Sequence, residues 1–264
     1  MRYFLELSFL GTNYHGWQRQ QNAHTVQQEV ENALKILLKH DTETTGCGRT
    51  DTGVHARKFF AHFDSDQLLE RVGSLVQDQS TNQPINQSTF IYHLNSLLPR
   101  DVSIINIHKV KDDAHARFDA TSRTYEYIIT RRKDALLQEL SFQFEYRLDI
   151  EQMNRFAGTF IGQHDFASFS KSRTQVKTTI CNVSEAAWKA EGHKLIFRIT
   201  VDRFLRNMVR AIVGSLLEAG EGKLSEDDFK AIFASKKRSS AGMSVPACGL
   251  YLCDVKYPYI KSNQ

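Results

Sequence analysis

The residues best placed to do chemistry lie between Gly46 and Ala56, in the run Gly-Cys-Gly-Arg-Thr-Asp-Thr-Gly-Val-His-Ala. One carboxylate, Asp51, stands among glycines, hydroxyls and small side chains, with the cation Arg49 two positions before it. No apolar period runs through the segment. It reads as a loop that presents a single acid, and the scarcity of bulk around Asp51 leaves room for a substrate.

Other readings of the same residues compete. An aspartate in an Asp-x-Gly triplet commonly does no more than hydrogen-bond its own turn. Asp-Thr-Gly also marks retropepsin-like aspartic proteases, which need two such aspartates sharing a proton; this chain has no second Asp-Thr-Gly and no Asp-Ser-Gly. A metal site would recruit His55, His62, Asp64 and His115, yet their spacing matches no pattern of the His-Glu-x-x-His kind. A Gly-x-x-x-x-Gly-Lys-Ser/Thr loop is missing, so nucleotide hydrolysis finds no support.

The elements that must position Asp51 follow from the apolar periods. Tyr3 to Leu7 reads as a strand, followed by a polar loop from Gly11 to Gln20 that carries Tyr14 and Trp17. Thr25, with Gln28 three positions on, predicts the start of a helix with Val26, Val30, Ala33, Leu34 and Leu37 inward. Strands are expected over Lys58–Phe63 and Val102–Val110, with a helix from Phe90 to Leu98 between them. The amide-rich run Gln77 to Thr89 is expected to be a surface loop. In the second half, Tyr125, Tyr127 and Ile129 alternate along a strand from Ser122 to Thr130. Asp149 caps a helix, Thr179–Ala190 and His193–Val201 form a hairpin around Gly192, and Ser225 caps a short helix. A helix is expected from Leu205 to Ala219 with Gly220 as its C-cap, and a last strand over Leu250–Lys256. The polar Lys109–Asp113 region is the best boundary, dividing the chain into domains 1–110 and 111–264.

Composition narrows the class. The 264 residues are 41% hydrophobic and 24% charged, which suits a folded protein and excludes wholesale disorder. A net charge of +4 permits a nucleic-acid partner without requiring one. No apolar run is long enough for a membrane span. The N-terminus enters a strand pattern at once, leaving no room for a signal peptide. Cys47, Cys181, Cys248 and Cys253 form no Cys-x-x-Cys pair, so neither zinc nor a disulfide framework is expected, and a cytoplasmic location is the default.

Several blocks, in order along nearly the whole chain, carry a specific resemblance. Gly48-Arg-Thr-Asp-x-Gly-Val-His-Ala is similar to the active-site loop of the tRNA pseudouridine synthase A (TruA) family. Tyr14-His-Gly-Trp-Gln-Arg-Gln resembles that family's first loop, and His115-Ala-Arg-Phe-Asp-Ala followed by Arg123-Thr-Tyr-Glu-Tyr resembles its second motif. Phe204-Leu-Arg-Asn-Met-Val-Arg with Ile212-Val-Gly resembles the third, and Pro246-Ala-Cys-Gly-Leu-Tyr-Leu the C-terminal one. Cys47 and Thr52 stand where many members have alanine, and Gln77–Thr89 looks like an insertion. These departures bear on substrate preference more than on the reaction.

The resemblance implies an α+β fold of two ferredoxin-like halves, with mixed or antiparallel sheets flanked by helices and an active-site cleft between them. It implies isomerisation of uridine to pseudouridine at tRNA positions 38, 39 and 40, by a homodimer that contacts the anticodon stem-loop and the tRNA body. Asp51 is then the nucleophile, at C6 of the uracil or C1′ of the ribose. Arg210 pairs with Asp51, Arg49 helps displace the target base, and Tyr125 lies against the uracil. Trp17, Arg19 and Gln20 belong to a loop used near RNA. No cofactor or metal is expected. Basic clusters at Arg131-Arg132-Lys133, at Lys171 with Arg173 and Lys177, and at Lys236-Lys237-Arg238 could follow a phosphate backbone. The alternative is a non-catalytic tRNA-binding or RNA-chaperone protein on the same scaffold.

Overall fold

A computed structural model describes residues 1–66, 87–171 and 177–260. Most of the amide-rich run (77–86) and Arg173 lie outside the described residues. The chain divides into two compact units, one holding Met1–Ala120 with Val255–Gln264 and the other Thr121–Asp254.

In the first unit, β1 (Arg2–Phe9) lies between β3 (His55–Asp64) and β4 (Val102–Val110), antiparallel to both. A two-residue strand, β2 (Thr45–Gly46), adds to β3. The register sets Tyr3 opposite Phe63 and Leu7 opposite Phe59, and shifts between Leu7 and Phe9. Helix α1 (Val26–Leu38) starts where its sequence signal lies, with the Thr25 hydroxyl accepting from the Gln28 amide. Its inward row of Val26, Val30, Ala33 and Leu34 is buried. Helix α2 (Gln87–Leu97) begins three residues before the expected Phe90, taking the end of the polar run into its first turn. Asn95 of α2 bonds both the N–H and the C=O of Ile104, which fixes the helix against β4. Tyr257, near the C-terminus, packs its ring on Phe4 and Phe60 and donates its hydroxyl to the Ala116 carbonyl.

In the second unit the strand order is β10 (Leu250–Lys256), β5 (Ser122–Thr130), β9 (Lys194–Val201), β8 (Ile180–Glu191), β7 (Gly162–Asp165). The β8–β9 hairpin turns at Gly192, with φ of 60°, and pairs antiparallel like β7–β8 and β5–β9. The two-residue strand β6 (Phe142–Gln143) pairs parallel, beside β5. Asp149 caps α3 (Ile150–Gly158), and Ser225 with Asp228 forms a full capping box on α5 (Glu226–Ser235). Phe156, Phe160 and Phe229 meet in an aromatic core, with Phe156 and Phe229 4.7 Å apart. Each unit is thus α+β, and the described residues hold five α-helices.

Helix α4 (Met208–Gly220) is buried on nearly every side, with all residues from Ala211 to Leu217 inaccessible. Its ends differ from the expected ones. It begins at Met208 rather than Leu205 because Asn207 takes a left-handed φ of 66°, which a helix interior does not accept. Gly220 is its last helical residue, and the left-handed glycine is Gly222, two positions later. Gly220 is small for a different reason: a Cβ there would meet the Met153 side chain at 2.6 Å.

Candidate active site

Asp51 sits in a turn whose backbone has little freedom. The Val54 amide donates to the Asp51 carbonyl at 3.2 Å, and Gly53, with φ of 77°, fills the left-handed third position of a type II turn. The Gly53 amide also reaches the Tyr14 carbonyl at 3.2 Å. Immediately before Asp51, the buried Thr50 hydroxyl accepts the Trp17 amide at 2.9 Å. Gly16 passes so close to the Thr50 carbonyl that any Cβ would overlap it, and its φ of 85° favours glycine independently. The polar loop of residues 11–20 and the Asp51 turn are therefore held together, and Asp51 itself is half-buried. Tyr14 anchors the pair from beneath, donating its hydroxyl to Asp101 at 2.6 Å. Its phenol is pushed well above the ordinary tyrosine range, first by burial and then by that carboxylate. That Tyr14 and Asp101 meet is not legible in the sequence, since they lie 87 residues apart.

Around this turn the remaining loop residues take different stations. Trp17 is only 2% exposed, with its indole 4.3 Å from the Phe59 ring. A Cβ on Gly46 would strike that indole, so the glycine is what admits it. The indole is core and anchors the loop rather than presenting a face to solvent. Arg19 is exposed and pairs at 3.2 Å with Glu31, a buried carboxylate that also accepts from the Thr44 amide and from Gln27. Gln20 donates to the His15 carbonyl. Arg49 stands exposed two residues before Asp51.

The histidines near the loop serve the backbone. His55 Nδ1 accepts the Gly11 amide at 3.0 Å, and His62 Nδ1 accepts the Ala116 amide at 3.2 Å. Burial, helped by the charges of Arg2 and His115, lowers the His62 pKa to about 4. His62 is therefore a neutral imidazole at ordinary pH. Among the described residues, no three His, Cys, Asp or Glu side chains converge in a way that could hold a metal ion.

In the second unit, β5 carries two tyrosines at strand spacing. Tyr127 is fully buried and donates to the Pro246 carbonyl at 2.7 Å, whereas Tyr125 is half-buried with its ring edge-on to Phe204 at 4.8 Å. Arg210 occupies the first turn of α4, also half-buried. Its Nε donates to the Val245 carbonyl at 2.7 Å, and its own carbonyl accepts the Val245 amide at 3.2 Å. A cation in the first turn opposes the helix macrodipole, typically at a cost of roughly 0.3–1 kcal/mol. That placement argues for a purpose other than helix stability.

The basic clusters split once folded. Lys236 pairs with Asp165 at 2.9 Å, Arg238 turns into the Ala241 carbonyl and the Ser244 hydroxyl, and Arg131 reaches the Tyr146 carbonyl. Arg132, Lys133, Lys171, Lys177 and Lys237 remain exposed.

A half-buried acid on an over-determined turn, carried on an α+β frame, suits an enzyme more than a passive binder, and the relatives agree. Residues 156–258 match the model of a family described as tRNA pseudouridine synthase. Proteins named tRNA pseudouridine synthase A are similar over almost their full length. That of Parabacteroides distasonis is 46% identical over 97% of this chain and 96% of its own. That of Bacteroides fragilis is 45% identical over the same shares, and that of Acetivibrio thermocellus 39% over 96% of this chain and 98% of its own. The chain belongs to the tRNA pseudouridine synthase A family. Among solved structures, a chain of a Cbf5-Nop10-Gar1 complex aligns with a TM-score of 0.34 at 12% identity, over 81% of this chain and 45% of that one, a likeness too weak to build on.

Proposed function

We propose that this protein isomerises uridine to pseudouridine at positions 38, 39 and 40 of tRNA. Family membership makes it a pseudouridine synthase, an isomerase, and gives no support to a non-catalytic tRNA binder. The observation that carries the site assignment is the Asp51 turn, where Gly16, Thr50 and Gly53 fix the backbone of one half-buried carboxylate.

In this reading the target nucleotide leaves its stack, at a cost of about a few kcal/mol for a paired base. Arg49, exposed beside the acid, occupies the vacated space. Asp51 attacks C6 of the uracil or C1′ of the ribose as the glycosidic bond breaks. The base turns, C5 bonds to C1′, and loss of the C5 proton restores the aromatic ring while Asp51 is released. Nothing is oxidised and no phosphoryl group moves, so the reaction needs no redox cofactor. Tyr125 holds the uracil ring, and Arg210 serves the Asp51 carboxylate, keeping it ionised when substrate excludes water. Arg19, Gln20 and the loop anchored by Trp17 contact RNA. The enzyme acts in the cytoplasm as a homodimer that reads tRNA shape through phosphate and sugar contacts. Among the described residues no helix is long and apolar enough to cross a membrane.

The test is direct. A tRNA transcript bearing uridine at 38, 39 and 40 is incubated with the protein and mapped for pseudouridine. Conversion at these positions, unaffected by exhaustive chelation, is the expected result; tight binding without conversion would favour the non-catalytic alternative.

A further inference from the structure

Arg210 is a long, flexible side chain, and something must choose its rotamer. The backbone of residues 241–246 crosses the N-terminal half of α4 at very close range. The Gly242 amide donates to Ser215 Oγ at 2.8 Å, and that hydroxyl donates in turn to the Ala211 carbonyl at 3.1 Å. A Cβ on Gly242 would lie 2.7 Å from the Ser215 nitrogen, and one on Gly214 would overlap the Met243 carbonyl. Only a glycine facing a glycine allows this strap to lie so low.

Further along, Ser244 is gripped from two sides. Its Oγ accepts Arg238 Nη2 at 2.7 Å and Asn207 Nδ2 at 2.6 Å, while Arg238 Nη1 also donates to the Ala241 carbonyl at 3.1 Å. Asn207 is the residue on which α4 begins, in its left-handed conformation. The next residue of the strap, Val245, bonds Arg210 twice, through its carbonyl to the guanidinium Nε and through its amide to the Arg210 carbonyl. The chain of contacts thus runs from Arg238 and Asn207, through Ser244, to the carbonyl that holds the guanidinium.

We propose that Arg238 and Ser244 are positioning residues that clasp the strap onto the first turn of α4 and thereby orient the Arg210 guanidinium for its work. The proposal rests on the role given to Arg210 above. It also reassigns Arg238, whose place in a Lys-Lys-Arg run suggests phosphate contact. Two of its nitrogens are turned inward onto the strap.

The test uses the full-length protein with tRNA, measuring single-turnover rate, tRNA affinity and thermal midpoint. Ser244→Ala and Arg238→Ala are each expected to slow the single-turnover rate by about tenfold, the worth of one charge-assisted hydrogen bond. Affinity for tRNA should stay within about twofold, because a group that acts only in the transition state leaves ground-state binding alone. Ser244→Thr, which keeps the hydroxyl, should restore the rate. In an Arg210→Lys background the same substitutions should add less than about twofold, as expected when two residues act through one group. Ser244→Ala removes a single hydroxyl from a half-exposed residue, so it carries the test if Arg238→Ala does not fold. A normal rate for Ser244→Ala beside a slow Arg210→Lys overturns the clasp alone. Equal losses in both backgrounds overturn it too, as does a loss confined to salt-sensitive tRNA affinity. A normal rate for Arg210→Lys overturns the role of Arg210 and this proposal with it.

Discussion

The Asp51 turn and the Arg210 helix hold their charges by opposite means. Asp51 has a short side chain, so fixing its backbone nearly fixes its carboxylate. Gly16, Gly53 and the Thr50 hydroxyl do this with local turns and one tight crossing of two loops. Arg210 has four side-chain torsions, so a rigid helix beneath it does not by itself set where the guanidinium points. It is held by a carbonyl 35 residues away in sequence, that of Val245, on a strap whose Gly242 bonds Ser215 and whose Ser244 bonds Asn207. A short acid can be preorganised by the backbone alone, whereas a long cation needs a second segment to choose its rotamer.

The largest expected effect separates chemistry from position. Asp51→Asn keeps the turn and removes the charge, and turnover should fall by about a thousandfold or more, as losing a nucleophile does. tRNA binding should change little. Appreciable turnover, with deamidation excluded, would remove Asp51 from the role of nucleophile. Arg210→Lys comes next. It retains the charge but loses the planar fork and the Nε bond to Val245, so the rate should drop by about 10- to 100-fold at constant fold.

A pair of glycine substitutions sets the two regions directly against each other. Gly16→Ala forces a Cβ into the Thr50 carbonyl at a positive φ, and denaturant titration should show a loss of about 1–3 kcal/mol together with slower turnover. Gly242→Ala meets backbone at 2.7 Å without a left-handed φ. The strap can shift to relieve that contact, so the stability loss should be smaller and the rate loss should follow Arg210. If Gly242→Ala lowers stability while leaving the rate untouched, the strap does no orienting and the contrast between the two regions fails.

The smallest effect concerns pH and belongs to the first unit. An unfolded imidazole takes up its proton near pH 6.5, whereas buried His62 does so only near 4. Unfolding therefore gains a proton between these values, and the stability contributed by neutral His62 is lost as pH falls from about 6.5 to 4. His62→Asn should flatten the denaturation midpoint across that window. A slope unchanged by the substitution would place the acid sensitivity elsewhere.

Much of this was legible in the sequence, and the limits have physical causes. Thr25, Asp149 and Ser225 are local signals, since an N-cap acts on amides two or three residues away, and each begins the helix it was expected to begin. The start of α4 was not legible, because Leu205 continues the apolar period while Asn207 breaks the backbone without disturbing it. Glycines were legible as necessary but not as to why: Gly220 reads as a cap and is instead a packing contact with Met153.

The sequence by itself determined that one acid is offered from a glycine-rich loop, along with the α+β order of elements and the family, because turns, caps and apolar periods are written in neighbouring residues. Only the tertiary structure decided that Trp17 is core, that Tyr127 is buried while Tyr125 keeps part of its surface, that Arg238 faces inward, and that Val245 holds Arg210. Those outcomes rest on hydrogen bonds and close approaches between segments far apart in the chain, and no periodicity encodes such pairs.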